Sequence, residues 1–330
     1  MRWSRSTTTF VCTTWPGGND VTRWKLHATA FAAVLCLTVS FPATISIGGE
    51  GPFGVQGMRF GYSSSLLSEV PKSDAQAAIS LWAKEFKRET GTDGPAQAAI
   101  YDDLPSLIHA VVEKQVDFIA LNSLDYLKIR DRVPMEPGLI GYRGGKLFDE
   151  QVLLVHRGNG IETLRQLKGS RLNLLSGGSG EIATLWLDTI LAKQGLHSAG
   201  RFFESIKEVG KASKAILPVF FRQADACVVS RNAFQTMAEL NPQIRRELKV
   251  LAMSPEIPIA LACLRSTLSD AQKDEFIRIA LKLVSTPSGK QILTIFKFEK
   301  IDRVPPGFLD TLVALVKEHE SYQAMAKGNR

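Results

Sequence analysis

Three short turns rich in serine and glycine carry residue types that can hold an anion. Tyr62-Ser63-Ser64-Ser65 follows the run Met58-Arg59-Phe60-Gly61, Asn122-Ser123 follows Asp117–Leu121, and Ser176-Gly177-Gly178-Ser179-Gly180 follows Arg171–Leu175. Each stands where an apolar strand hands over to a helix. Free backbone N–H groups and hydroxyls there meet the positive end of a helix dipole, which attracts negative charge. Three such turns point to a cleft that wraps a small anionic ligand. Tyr126, four residues past Asn122, joins the candidate contacts or equally faces a core as a helix residue. The serines have a second reading as N-caps and polar loop residues. Lys211, Lys214 and Arg231 could neutralise an anion, although such side chains are ordinarily solvated. His109 and His156 read as structural, and no Ser/His/Asp arrangement is visible.

The elements that must position these turns alternate short apolar strands with amphipathic helices, the pattern of an α/β protein with parallel sheets. A first helix is expected to open on the capping box Ser73-Asp74-Ala75-Gln76, to bury Ile79, Trp82 and Phe86, and to stop at Gly91. A helix over 101–114, a strand over 116–121 and strands at 139–142 and 151–156 follow. The pattern then restarts: a short helix at 161–167, a strand at 171–175, a helix at 181–194, a strand at 205–209, a helix at 212–221 and a strand at 224–230. A second capping box, Ser269-Asp270-Ala271-Gln272, opens a helix with Phe276, Ile279, Ala280 and Leu283 on its apolar face. Helices near 289–296 and 306–320 finish the chain. Two units that each begin with a serine-rich turn imply two lobes, with the turns facing one another across a cleft. Ligands of open α/β sheets sit at the carboxyl ends of the parallel strands, where all three turns fall.

A chain of 330 residues, 45% hydrophobic and 22% charged, is long enough for two domains and globular in composition. No internal repeat is visible. The formal charge of +7 is spread without a Lys/Arg block, which argues against a nucleic-acid surface. Arg23-Trp24-Lys25, the apolar run Ala28–Val39 and the small residues around Ala43–Ser46 read as an export signal over residues 1–46, with Val21 as a candidate true start. An uncleaved anchor is the alternative, but the apolar run falls short of the roughly 20 residues that span a bilayer. Cys227 and Cys263 each sit in an apolar run, as buried free thiols or, in an exported protein, as thiols open to oxidation. No Cys/His cluster has metal-ligand spacing, and no cofactor is implied.

Several stretches carry a family likeness: Arg59-Phe60-Gly61-Tyr62, Leu107-Ile108-His109-Ala110 leading to Val116-Asp117-Phe118, and Gly160-Ile161-Glu162-Thr163-Leu164-Arg165-Gln166-Leu167-Lys168-Gly169. The run Ser176–Gly180 opening a helix and Gln223-Ala224-Asp225-Ala226 complete it. By these, the segment from Met58 to about Ser321 resembles the phosphate/phosphite/phosphonate-binding periplasmic proteins of ABC importers. The resemblance implies a type II periplasmic-binding fold: two lobes with mixed or parallel sheets, joined by two crossing strands. Residues 47–156 and 258–330 would form the first lobe and 157–257 the second, with Cys227 and Cys263 in different lobes. The ligand contacts implied are Tyr62, Ser63, Ser64, Ser65, Asn122, Ser123, Tyr126, Ser176, Gly177, Gly178, Ser179, Gly180 and Asp225. Phosphonate binders typically carry Ser-Thr-Ser before the glycine of the second-lobe turn, where this chain has Gly177-Gly178-Ser179-Gly180. They place a histidine where Ala212-Ser213-Lys214 stands and an aromatic where Leu104 stands. The strand end Ala120-Leu121-Asn122 lacks a further aromatic.

The function expected is non-enzymatic: a periplasmic, monomeric solute-binding protein that delivers a small oxyanion to a membrane permease, without nucleic acid. Two rivals remain. One is a ligand sensor of the same fold that signals to a membrane receptor kinase. The other is a dinucleotide-dependent enzyme, because Gly178-Ser179-Gly180-Glu181-Ile182-Ala183 fits G-x-G-x-x-A and Glu204 lies near where a ribose-binding acid belongs.

Overall fold

The structure is a computed structural model and describes residues 53–54, 57–67, 70–175 and 180–328. The chain begins with β1 (Arg59–Ser63), a single 3-10 turn (Ser64–Leu67), α1 (Lys72–Thr90), β2 (Gln97–Tyr101), α2 (Leu104–Val112), β3 (Phe118–Asn122) and α3 (Ser123–Ile129). Next come β4 (Met135–Tyr142), β5 (Phe148–Asp149) and β6 (Gln151–His156). A second series follows: β7 (Arg171–Leu175), α4 (Gly180–Lys193), α5 (Ala199–Phe202), β8 (Ser205–Val209), α6 (Ala212–Phe220), β9 (Ala226–Ser230), α7 (Arg231–Leu240), α8 (Pro242–Glu247) and β10 (Leu248–Met253). The chain closes with β11 (Ile257–Pro258), β12 (Ala260–Arg265), α9 (Asp270–Leu283), α10 (Pro287–Phe296), β13 (Lys300–Arg303) and α11 (Asp310–Gly328).

These strands make two mixed sheets. The first runs β13-β4-β12-β3-β1-β2 and the second β10-β6-β9-β7-β8. In each, three strands are parallel and joined through helices, and an antiparallel strand lies beside them: β12 beside β3, β6 beside β9. Both sheets are thus mixed, the first of the two arrangements, mixed or parallel, that the expected fold allowed. β3 and β6 are buried along their whole length, as central strands covered on both faces must be. The chain passes between sheets twice, and the two crossings pair: Ile257 lies opposite Asp149 and Pro258 opposite Phe148.

Local chemistry explains most boundaries, and it corrects two of the expected ones. The capping box Ser269/Gln272 forms. The one at Ser73/Gln76 does not, because α1 starts two residues earlier, behind Pro71. Gln76 instead ties α1 to β2, donating to the Ala98 carbonyl at 2.9 Å. The helix expected over 101–114 begins at Leu104, since the Asp103 carboxylate caps it by accepting from the Ser106 N–H at 2.7 Å; Tyr101 ends β2. Gly91 ends α1 in the left-handed region (φ 64°), where a β-carbon would be strained. The last helix does not stay with the first sheet. Leu312 and Leu315 of α11 pack with Trp186, Leu187 and Leu191 of α4, and Thr189 meets His319 at 3.2 Å.

Cys227 and Cys263 are buried free thiols in different sheets, and burial pushes both well above the ordinary thiol range. No helix among the described residues is long and apolar enough to cross a membrane.

Candidate functional site

A cleft of about 360 Å³ lies where the two sheets meet the crossing strands. From the first lobe it is lined by Ser65, Asn122, Ile295 and Lys297, and from the second by Leu175, Ile182, Ala212, Ser230 and Asn232. Asp149, Gln151 and Ile257–Ile259 of the crossings form its floor, with Arg143 from the loop after β4. Ser65, Asn122, Leu175 and Ser230 all stand at or just past the carboxyl ends of parallel strands, so both sheets present their ligand-accepting ends to one space.

The first-lobe wall is a connected set of hydroxyl, amide and carboxylate groups. Ser63 and Ser65 share a hydrogen bond at 2.8 Å, and the Ser65 hydroxyl donates to Asp125 Oδ2 at 3.1 Å. The Asn122 amide donates to the same Asp125 oxygen (2.6 Å) and to Ser65 (3.0 Å), while its carbonyl accepts the Asp125 N–H that starts α3 (2.8 Å). Lys128 continues the set. Its ammonium lies 3.4 Å from Asp125 Oδ1 and pairs with Glu181 in the first turn of α4, joining the two lobes beside the cleft. Burial, which alone would lower the Lys128 pKa, is outweighed by Glu181 and Asp125.

Among the described residues, the second-lobe wall is more open to a ligand. Ser230 caps α7, accepting from the Ala233 N–H at 3.2 Å, and Asn232 and Thr236 follow on that helix along the cleft. Ala212 begins α6, whose N-cap residue Lys211 makes no side-chain capping bond. The amino ends of α6 and α7 thus both border the cleft, and their partial positive charge favours an anion. Between the walls, Asp149 is pushed above the ordinary carboxylate range by burial, against the opposing hydrogen bonds from Ser230 and the Asn232 and Glu150 backbones. Its neutral form is a donor.

Of the residues singled out in the sequence, Ser65 and Asn122 line this cleft, and Ser63 supports Ser65. Ser64 turns away and donates to the Asp102 carbonyl at 3.0 Å. Ser123 is fully buried and holds the crossing strand through the Pro258 carbonyl. Tyr62 is 3% exposed, stacked 5.4 Å from Phe296. Tyr126 is buried among Leu107, Val133 and Cys263, its hydroxyl pushed up to about 12, first by burial. Gly180 is the buried first residue of α4; Ser176, Gly177, Gly178 and Ser179 lie outside the described residues. Asp225 stands one residue before β9, at the end of the strand remote from Ser230, and pairs with Arg171. Glu204 precedes β8 and so lies at the amino end of that sheet, where a nucleotide ribose would not reach it. Lys211 and Lys214 are exposed, and Arg231 pairs with Glu150 at 2.8 Å.

Sequence reasoning missed Arg143, Asp149, Gln151, Ser230, Asn232 and Lys297. Ser230 had a readable signal, an N-cap serine at the end of an apolar strand, the same signal that picked out Asn122. Arg143 and Lys297 had none: Arg143 follows β4, and Lys297 is the left-handed C-cap of α10 (φ 55°).

No curated protein matches the chain. Among solved structures, XAC2383 of Xanthomonas citri bound to ATP superposes with a TM-score of 0.61 at 17% identity, over 81% of this chain and 98% of its own. A binding protein component of an ABC phosphonate transporter from Pseudomonas aeruginosa gives 0.57 at 18% identity, over 81% and 87%. PhnD1 from Prochlorococcus marinus in complex with methylphosphonate gives 0.56 at 16% identity, over 79% and 97%. At these identities the likeness establishes the fold, that of type II periplasmic binding proteins. The sequence pattern of one family matches residues 65–306, nearly three quarters of the chain, and by that match this protein belongs to the phosphonate periplasmic substrate-binding proteins of ABC transporters.

Proposed function

We propose that this protein captures a small phosphonate-like oxyanion in the interlobe cleft and hands it to a membrane permease from the periplasm. The observation that carries the reading is the cleft itself. Two sheets direct their strand ends, two helix amino ends and the side chains of Ser65, Asn122, Ser230, Arg143 and Lys297 at one space of small-ligand size. Donors aimed into a partly desolvated cleft bind an anion more strongly than in water and reject shapes that leave them unmatched. In this reading the lobes part at the paired crossings, Phe148–Asp149 and Ile257–Pro258, rather than after residue 156, because β6 belongs to the second sheet; α11 reaches across to α4, and ligand binding closes the lobes about those crossings.

The test is calorimetric titration of the purified protein with phosphate, phosphite, methylphosphonate, methanesulfonate and ATP. Saturable binding of at least one phosphorus oxyanion, lost in Asn122→Ala, is the expected result. No heat from any of the three phosphorus oxyanions overturns the reading. Binding of ATP alone would move the ligand to the nucleotide class.

A further inference from the structure

A second space of about 80 Å³ lies inside the first lobe, between the sheet and α1, α9 and α10. Its walls are carbon: Trp82, Phe118, Ala262, Phe276 and Ala280 among others. It is not remote from the cleft. Leu66 and Phe296 line both spaces, and Leu66 directly follows Ser65 in the 3-10 turn of the cleft wall. Phe296 is held between two rings, Tyr62 at 5.4 Å and Phe298 at 6.1 Å, each nearly parallel to it. Leu66, half-buried on a one-turn helix, is therefore the wall that can turn aside.

Tyr62 lines the same cavity at 3% exposure. An unfilled apolar space forfeits the dispersion contacts of its lining. That cost falls if the space receives the apolar part of a ligand.

Taking the oxyanion reading of the cleft as its premise, we infer that the ligand is an organophosphonate with an apolar substituent of roughly butyl or phenyl size. Its anionic head sits at Ser65 and Asn122, and its substituent passes Leu66 into the Trp82–Phe276–Ala280 cavity. Tyr62 then contacts the substituent, not the anion.

The test titrates the protein with methyl-, ethyl-, butyl- and phenylphosphonate and follows tryptophan emission in parallel. Affinity is expected to rise by up to about fourfold per methylene buried. The longer ligands, unlike methylphosphonate, should change the emission of Trp82, a change that Trp82→Phe abolishes. Ala280→Leu and Ala262→Leu, which fill the cavity, should remove the gain for butyl and phenyl while methylphosphonate still binds, showing an intact cleft. Affinity that is flat or falls with substituent size, with methylphosphonate bound, overturns the inference and leaves the oxyanion reading standing. Binding of no phosphonate overturns the inference, and overturns the oxyanion reading as well only if phosphate and phosphite also fail to bind.

Discussion

The two lobes are built on one plan and finished differently. Each has a parallel trio in the order β2-β1-β3 or β8-β7-β9, and each clamps the amino ends of its first and third strands with an arginine and an aspartate. Arg59 bonds Asp117 through its backbone N–H (3.1 Å), Nε (2.8 Å) and Nη2 (3.0 Å), and Arg171 bonds Asp225 through the same three groups at 2.8, 3.2 and 3.3 Å. At the other end of the trio, Asn122 and Ser230 each cap the helix that follows the third strand. The finish differs. Asp117 is buried and takes a second arginine, Arg265 at 2.7 Å, whereas Asp225 and Arg171 are half-exposed. Three residues past the cap, the first lobe has Asp125, which draws Ser65 and Asn122 into a closed network, and the second has Ala233, which leaves its wall open. The first lobe is thus the stiff jaw, with its donors held in place, and the second is the jaw with capacity to spare.

The largest test of that difference is the pair of clamps. Asp117→Ala leaves two arginines, 22% and 13% exposed, without their carboxylate. A loss of about 3–5 kcal/mol is expected in urea denaturation. Asp225→Ala should cost far less, because its ion pair is screened by solvent. Equal losses would break the comparison.

The caps come next. Asn122→Ala removes a cap and two further hydrogen bonds, so about 2 kcal/mol is expected, against about 1 kcal/mol for Ser230→Ala. Calorimetry should show the greater loss of oxyanion affinity in Asn122→Ala as well.

The crossing strand between the jaws gives a pH test. Burial raises the folded-state pKa of Asp149, so the folded protein holds this proton more tightly than the unfolded chain. Its contribution to stability is greatest below the ordinary carboxylate pKa and is lost as pH rises through the raised value. Anion affinity should fall over the same window as a negative charge appears in the cleft. Asp149→Asn should flatten both profiles, and unchanged profiles would exclude Asp149 from the site.

The smallest effect is expected at Lys128 and Glu181, whose pairing links the jaws. Glu181→Gln should cost under about 1 kcal/mol in denaturation and weaken ligand binding modestly, by removing a contact that holds the lobes together. A gain in affinity would show that the contact opposes closure.

Much of this plan could be read along the chain. β6, β7 and β8 run over the expected residues, because short apolar runs bounded by turn residues are local signals. Asn122 and the Ser63–Ser65 turn were legible for the same reason. The clamps that the two lobes share were not, because they are pairs, Arg59–Asp117 and Arg171–Asp225, each separated by more than fifty residues. Tyr62 shows the limit from the other side: it follows a strand residue for residue as a ligand contact would, and only packing against Phe118 and Phe296 puts it inside the lobe.

The sequence by itself determined the α/β class, much of the alternation of strands and helices though not β2, α7, α8, β10 or β13, and which strand ends carry anion-seeking turns, since periodicity, caps and glycine stops act over a few residues. Tertiary structure alone decided the antiparallel β12 and β6, the return of α11 onto α4, and the membership of the cleft. Arg143, Asp149, Ser230 and Lys297 meet Asn122 only because two crossing strands pair at Asp149 and Ile257, far apart along the chain. Such a meeting depends on the packing of both lobes at once, and no window of residues contains it.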